Sequence, residues 1–277
     1  MNTRTTLSSI ILTAAISGLA LPAFAADCKP AHKIETVTPG AITVAAVNFP
    51  PYGEVAPDGS ATGIDGDILQ EIAKLECVPV KAIPVDGAAA LSYVTTNRAD
   101  LAFGDWYRTA ARTKVMALSD PLYLDTVAIV SKQGIDTLKG LEGMTVGTMQ
   151  GNFYVADLRK IFDQNLKLYP SLVAEQQDLQ AGRLDSYVET YAGTVYAQQK
   201  GAMAGFKAVI LQPDPRAPSI AGAAQVGYPM RKDNTALLNA FNEDIAELHK
   251  NGKIKAIVQK YGLDPAVTDT GAPRLLQ

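Results

Sequence analysis

Residue types that build common catalytic sites are scarce in this sequence of 277 residues. It has two histidines, His32 and His249, and two cysteines. Neither histidine has an evident partner, and no cluster has the spacing of metal ligands. The sequence also lacks Gly-x-Ser-x-Gly, a phosphate-binding loop and a Cys/His pair. It therefore predicts no catalytic residue, no metal and no cofactor.

Neither strong positive charge nor a second long apolar run is present. The formal net charge is −3, and the basic residues are scattered. This argues against nucleic acid or an anionic membrane as the main partner. Beyond residue 25, no apolar stretch reaches the roughly 18 residues that suggest a transmembrane helix.

Residues 1–25 have the composition of a secretory signal peptide. Arg4 is their only charged residue, "IILTAAISGLAL" is a short apolar run, and "AFA" is a small-x-small cleavage site. We expect cleavage after Ala25 or Ala26 and export of a soluble mature chain to the periplasm.

Both cysteines, Cys28 and Cys77, lie in that mature chain. An oxidising compartment favours a disulfide between them, and two separate thiols are the alternative. Lipid attachment at Cys28 is not expected, because Asp27 stands where a lipoprotein signal needs a small neutral residue.

Strand-like and helix-like segments alternate along the chain. Helical spacing of apolar residues predicts helices over 67–76, with Asp65 or Asp67 as a cap, and over 234–252. This alternation predicts an α/β fold with mostly parallel sheets. The predicted strands are 42–47, 80–85, 100–103, 126–132, 144–149 and 206–211.

One turn combines unusual groups at the end of a predicted strand. "GDWYRTAAR" (104–112) follows the apolar run "ADLAF" and holds an acid, two large aromatics and two arginines. Ligands of open α/β sheets bind beyond the carboxyl ends of strands. We therefore expect this turn to hold a small charged ligand.

Several motifs in a fixed order resemble one family. The resemblance is to the periplasmic solute-binding proteins (family 3) of polar amino-acid ABC importers. It implies a type II fold of two lobes, joined by two crossover strands, with a ligand cleft between them. Domain 1 would be 27–126 plus 224–277, and domain 2 would be 127–223. The motifs are "FPPY" (49–52), "GIDGDILQEIAKLE" (63–76), "RADLAFGDWYRTAAR" (98–112), "SDPLY" (119–123), "VGTMQGN" (146–152), "GRLDSYVET" (182–190) and "GYPMRKDN…LHKNGKIKAIVQKYG" (227–262).

The resemblance also implies a function. The protein would be the substrate-binding component of an importer, a monomer that closes by a hinge over an amino acid or amino-acid-like zwitterion or cation. Its closed form would dock on an inner-membrane ABC permease.

The carboxylate contact is expected at the "T-x-x-R" turn. In the family this arginine grips the ligand's carboxylate, and Thr109 and Arg112 match the motif. A guanidinium can bind a carboxylate with two hydrogen bonds. A solvated arginine or a structural ion pair is the alternative.

Aromatic side chains are expected to cover the ligand. The resemblance points to Phe49 or Tyr52, and Trp106 and Tyr107 are further candidates. Core packing is the alternative for each. Because neighbouring residues of an extended segment face opposite ways, we favour Tyr107 for the cleft over Trp106.

In domain 2, the family uses the turn before a helix for the ligand's carboxylate. The matching segment here is Gly151, Asn152, Phe153 and Tyr154, and Asn152 replaces the usual small hydroxyl residue.

Departures from the family pattern concern the ligand's amino group. Asp105 and Tyr107 stand where the family has small or hydroxyl residues, and Thr190, beside Glu189, stands where it has an aspartate. The amino-group contact is therefore expected at Asp105 or Glu189. A carboxylate together with aromatic rings also suits a ligand with a substituted ammonium group, which the rings would bind by cation–π contact.

Two other functions stay open. The fold hosts periplasmic dehydratases acting on prephenate-like acids, and Asp105 and Glu189 could serve as acid and base across the cleft. A ligand-sensing binding protein is the other alternative.

Overall fold

The computed structural model describes residues 28–220 and 222–276 and shows two α/β lobes joined by two crossover strands. The signal peptide lies outside the described residues. Within these ranges, no helix combines the length and apolar character needed to cross a membrane.

The strands and helices follow the predicted alternation. In chain order the strands are β1 (Ile42–Val47), β2 (Glu54–Val55), β3 (Ala61–Thr62), β4 (Val80–Val85), β5 (Leu101–Phe103), β6 (Ala117–Leu118), β7 (Tyr123–Asp125), β8 (Val127–Ser131), β9 (Val146–Met149), β10 (Leu166–Tyr169), β11 (Ser186–Thr190), β12 (Lys207–Ile210), β13 (Ala224–Val226) and β14 (Pro229–Met230). The helices are α1 (Gly63–Leu75), α2 (Gly87–Thr95), α3 (Ala110–Thr113), α4 (Val155–Phe162), α5 (Leu172–Gln180), α6 (Tyr191–Gln199), α7 (Thr235–Lys250) and α8 (Lys253–Lys260). Single 3₁₀ turns cover Lys139–Leu141, Asp163–Asn165, Pro218–Ile220 and Pro265–Thr268.

Each lobe contains one five-stranded sheet. In lobe 1 the order is β4-β1-β5-β14-β6, and in lobe 2 it is β10-β9-β11-β8-β12. The crossover strands β7 and β13 pair antiparallel, with Asp125 opposite Ala224. The domain boundaries expected from the sequence, 126/127 and 223/224, lie next to the end of β7 and the start of β13 and stay a prediction.

The sheets are less parallel than the sequence predicts. β14 runs antiparallel to β5 and β6, and β8 runs antiparallel to β11 and β12. β8 and β14 directly follow the crossover strands. Each therefore enters its sheet from the side of the crossover strands and runs opposite to the strands it pairs with.

The two predicted helices form with shifted ends. α1 begins a turn early, at Gly63, whose φ of +87° suits glycine and whose added Cβ would lie 2.6 Å from the Tyr52 carbonyl oxygen. The expected cap is wrong, because Thr62 occupies the N-cap position and Asp65 bonds elsewhere. α7 is capped by Asn234, which accepts from the Leu237 N–H.

The predicted disulfide is confirmed, since Cys28 and Cys77 are bonded with their Cα atoms 5.8 Å apart. The expectation that the histidines lack partners is wrong. His32 Nδ1 lies 2.6 Å from Glu76 Oε1, because the disulfide holds the N-terminal arm beside the end of α1. His249 contacts a backbone carbonyl oxygen.

Candidate functional site

The candidate site lies where the carboxyl ends of strands from both lobes meet. Lobe 1 contributes the loops after β1 and β5, and lobe 2 contributes those after β9 and β11. The lobes are in contact here, since the Tyr107 ring of lobe 1 lies 5.2 Å from the Phe153 ring of lobe 2. Met149, Leu172 and Ala192 of lobe 2 also pack against the lobe 1 core.

The turn after β5 is held by one buried carboxylate. Asp65 Oδ2 accepts from the N–H groups of Gly104 and Asp105, at 3.0 and 2.9 Å. Gly104 has a φ of +126°, and a Cβ there would lie 2.8 Å from the Cβ of Val47. Glycine is therefore required at this position, and Asp105 follows in the left-handed region with a φ of 61°.

This turn directs the side chains of Trp106 and Tyr107 to different parts of the structure. Trp106 packs in an apolar cluster with Ala90 and Val94, on the α2 side of the sheet. Tyr107 is buried and points toward Phe153 of lobe 2. The observed placement follows the alternation used to favour Tyr107.

Asp125, at the end of β7, connects two of the expected aromatic residues. Its Oδ1 accepts from the Tyr52 hydroxyl at 3.0 Å, and its Oδ2 accepts from the Tyr107 hydroxyl at 2.5 Å. Burial raises the pKa of Asp125 to about 6, although both tyrosine hydroxyls favour the ionised form. Phe49 completes this group, with its ring 5.1 Å from that of Tyr52.

Asp105 brings a further carboxylate to the same place. Its Oδ1 is buried without a hydrogen-bond partner among the described residues. Burial raises the pKa of Asp105 well above its usual range, Asp125 and Asp65 add to this, and Arg112 partly offsets it. This part of lobe 1 therefore favours a cation.

Arg112 stands at this acidic region on the short helix α3. Thr109 caps α3, with its Oγ1 accepting from the Arg112 N–H at 3.2 Å. The guanidinium lies 4.9 Å from the Trp106 ring centroid, and Nη1 donates to the Tyr107 carbonyl oxygen. Burial lowers the pKa of Arg112 to about 10, so it stays charged at neutral pH. It forms no salt bridge with any described carboxylate, which leaves charge available for a ligand.

In lobe 2, the turn after β9 donates hydrogen bonds to Glu189, an acid of the same lobe. The Asn152 Nδ2 donates to Glu189 Oε1 at 2.7 Å, and the Met149 N–H donates to the same oxygen at 2.7 Å. Tyr154 is buried behind Asn152, and its hydroxyl accepts from Asn152 Nδ2. Gly151 is exposed.

Glu189 has a second, buried acidic neighbour. Its Oε2 has no hydrogen-bond partner among the described residues, and neither carboxylate oxygen of Glu175 on α5 has one. Gly147 makes room for Glu175, because a Cβ on Gly147 would lie 2.7 Å from Glu175 Oε1. Burial raises the pKa of Glu189 to about 7. Burial and then the charge of Glu189 raise the pKa of Glu175 well above its ordinary value.

Most of the expected residues lie on the loops and strand ends around the contact between the lobes. Trp106 and Thr109 instead contact Arg112, and Tyr154 is buried behind Asn152. The sequence did not identify Asp125 or Glu175 as residues of the site. It suggested Asp65 as a helix cap, whereas the Asp65 carboxylate binds the turn after β5. An acid at the end of the otherwise apolar "YLD" strand was the available signal for Asp125. Of the expected residues, Phe49, Tyr52 and Tyr107 of lobe 1 share one apolar cluster with Phe153 of lobe 2. Asp105 follows β5, Arg112 lies on α3, Asn152 follows β9, and Glu189 and Thr190 end β11.

Comparisons with known proteins agree with this architecture. The chain is 25% identical over 268 residues to the L-cystine-binding protein TcyJ of Escherichia coli K12, covering 93% of this chain and 95% of that protein. It is 27% identical over 265 residues to the L-arginine-binding protein of Pseudomonas aeruginosa PAO1, covering 89% and 93%.

A solved structure and a family model agree as well. An ancestral arginine-binding protein bound to arginine superposes with a TM-score of 0.69 at 28% identity, covering 80% of this chain and 98% of that one. The expected two-lobed fold is confirmed. Residues 42–264 match the model of the bacterial extracellular solute-binding proteins, family 3. The chain belongs to this family.

Proposed function

We propose that this protein is the periplasmic substrate-binding component of an ABC importer and binds an amino acid or amino-acid-like zwitterion between its lobes. Family membership supports a small-molecule ligand and a transporter partner. Relatives named for binding L-cystine and L-arginine support an amino-acid ligand. The proposed form is a monomer with no nucleic-acid partner, released to the periplasm after signal-peptide cleavage, that docks on an inner-membrane permease.

The observation that carries this proposal is a set of buried polar atoms that have no hydrogen-bond partner among the described residues and that lie on strand ends and turns beside the lobe contact. Asp105 Oδ1 comes from lobe 1, and Glu189 Oε2 and Thr190 Oγ1 come from lobe 2. Buried polar groups in folded proteins almost always have hydrogen-bond partners. A polar ligand that bridges the lobes would supply them.

The charges suggest the ligand's chemistry. Arg112 would bind a carboxylate, and Asp105 with Asp125 would bind an ammonium group in lobe 1. Glu189 offers a second acceptor for positive charge in lobe 2. We therefore favour an amino acid with two cationic groups, such as a basic amino acid or cystine.

Closure would be a hinge motion biased by the ligand. We propose that 27–126 with 224–277 and 127–223 move as two units about the crossover strands. The ligand carboxylate would bind first to Arg112. The segment 151–154 and residues 189–190 would then close over it.

We also propose that the bound compound is not converted. Asp105 and Glu189 could act as acid and base only if a substrate lay between them, and each already has a binding role in this proposal. Incubation of a confirmed ligand with the protein, followed by mass spectrometry of the ligand, tests this point. A new product would favour the dehydratase-like alternative.

A thermal-shift screen of ligand-stripped mature protein tests the main proposal. The panel holds the common amino acids, cystine, methylated amines, betaines, opine-like conjugates and small dicarboxylates. A tight ligand raises the melting temperature by mass action. Calorimetric titration should then give a Kd of around 1 μM, or about −8 kcal/mol.

The outcomes separate the hypotheses. Stabilisation by basic amino acids or cystine supports the proposal, and stabilisation only by betaines moves the ligand class to substituted ammonium compounds. A ligand that binds Arg112→Ala as tightly as the wild type contradicts the proposed site. No stabilisation by any compound favours the sensing or enzymatic alternatives.

A further inference from the structure

A cluster of metal-type ligands lies in lobe 1 at the far end of α1. Asp65, near the start of α1, bonds to the turn after β5, whereas Glu76 follows the last residue of the helix, roughly 16 Å along its axis. There the N-terminal arm brings His32 next to Glu76 and to Asp244 of α7. The proposed ligand binding makes no use of these side chains.

The spacing of the donor atoms suits a small divalent ion. One ligand atom from each side chain lies within 4.8 Å of the others. His32 Nδ1 is 2.6 Å from Glu76 Oε1 and 3.8 Å from Asp244 Oδ1. Donors around a tetrahedral Zn²⁺ are about 3.3 Å apart, which lies between these two distances.

Asp244 supplies a second, independent observation. Its side chain is 3% exposed, and its Oδ2 has no hydrogen-bond partner in the described part of the chain. The Glu76 side chain beside it is fully buried. Two adjacent buried carboxylates are costly unless positive charge compensates them, and a divalent ion would do so.

Glu243 orients the imidazole for such a role. Its Oε2 lies 3.1 Å from His32 Nε2, while Nδ1 faces Glu76 and Asp244. A histidine that binds a metal usually donates its other ring N–H to a carboxylate, which fixes the tautomer. Glu243 would therefore be a positioning residue.

We propose that His32 Nδ1, Glu76 and Asp244 bind one divalent transition-metal ion of the Zn²⁺ class. Imidazole and carboxylate are ligands that Zn²⁺ accepts, and water would complete its coordination. Binding releases to solvent the proton held between His32 and Glu76. The ion then links the N-terminal arm to α1 and α7.

Calorimetric titration of tag-free, EDTA-treated mature protein with ZnCl₂ tests the site. We expect one ion per chain, proton release detected in buffers of different ionisation enthalpy, and a melting temperature raised by about 5 °C or more at 100 times Kd. Asp244→Asn and His32→Gln should each weaken binding at least ~10-fold, and Glu243→Gln should weaken it by about 10-fold.

Two controls make the result specific. Glu247→Gln changes an exposed acid on the same helix, and His249→Gln changes the other histidine; neither should alter binding. Absence of stoichiometric binding, or unchanged affinity in Asp244→Asn, overturns the proposal, as does loss of binding in His249→Gln. If Asp244→Asn does not fold, the absorption spectrum of Co²⁺ bound to wild type and to His32→Gln decides. Identical spectra then overturn it.

Discussion

The two lobes differ in how the buried carboxylates near the candidate site are hydrogen-bonded. In lobe 1, both oxygens of Asp125 accept from tyrosine hydroxyls, and both oxygens of Asp65 accept from backbone N–H groups or from Tyr123. In lobe 2, Glu189 has one oxygen without a partner and Glu175 has two, among the described residues. Arg112 adds a positive charge beside the carboxylates of lobe 1.

This difference suggests a division of roles. The lobe 1 network is held by groups fixed in the fold, so it is preorganised for a ligand before closure. Glu189 Oε2 and both oxygens of Glu175 in lobe 2, like Asp105 Oδ1 in lobe 1, lack partners among the described residues and would gain them from protons or from a cation. Lobe 1 should therefore set the first contact with the ligand, and Glu189 of lobe 2 should add a pH dependence of stability of its own.

The largest expected effect is a loss of stability of the ligand-free protein as pH rises. The folded-state pKa of Glu189, about 7, lies above its ordinary 4.5. Between these values the unfolded chain releases a proton that the folded chain retains, so Glu189 alone contributes a fall of about 3 kcal/mol in the free energy of unfolding, which is complete above pH 7.

Glu189→Gln should remove this part of the pH dependence. Urea unfolding at pH 4.5 and pH 8 measures it, and the variant should be the more stable of the two proteins at pH 8. Glu142→Gln, an exposed acid of lobe 2, is the control. If Glu189→Gln follows the wild-type profile, the idea that lobe 2 holds an uncompensated acid fails.

The next largest effect concerns ligand affinity and lobe 1. Arg112→Ala leaves the ligand carboxylate without its charged partner, which costs about 2–3 kcal/mol, or a 30- to 150-fold weaker Kd. Calorimetry with the ligand found by the screen measures it. Arg216→Ala, which removes an exposed arginine paired within lobe 2, should bind as the wild type does. Equal losses in the two variants would contradict a specific role.

A smaller effect should follow from filling the space above Gly147. A Cβ there would lie 2.7 Å from Glu175 Oε1 and 2.6 Å from Leu184 Cδ1. Gly147→Ala should lower the free energy of unfolding by about 2 kcal/mol, because overpacking displaces both side chains. Gly87→Ala, where an added Cβ meets nothing within 4 Å, should lose no stability. Unchanged stability in Gly147→Ala would mean that Glu175 can move freely.

The sequence was sufficient for the fold and for part of the lobe 1 site. Short apolar runs predicted β1, β4, β5, β8, β9 and β12, six of the fourteen strands in the described residues. The turn at 104–112 was found because its charged and aromatic residues directly follow such a run. Alternation then separated Tyr107 from Trp106, and this is the arrangement observed.

The residues that were missed depend on contacts between distant segments. Asp125 accepts a hydrogen bond from Tyr52, 73 positions earlier in the chain, and no local pattern records such a pair. Glu175 lies on a helix with largely polar neighbours and is buried only because Gly147 leaves space. Asp65 matched a helix cap by position, but the turn after β5 comes within reach of its carboxylate.

The smallest expected effect tests whether the hydroxyl of Tyr107 matters beyond its ring. Tyr107→Phe keeps the contact with Phe153 but removes one of the two tyrosine donors to Asp125. The pKa of Asp125 should rise further, so less of the ionised carboxylate meets the ligand's cation, at a cost of about 1 kcal/mol. Because that pKa is already about 6, the loss of affinity should be larger at pH 6 than at pH 8. The matched control is Tyr169→Phe, which removes the hydrogen bond from the Tyr169 hydroxyl to Asp178 in lobe 2. A loss that is the same at both pH values would assign the effect to packing and leave Asp125 without a part in binding.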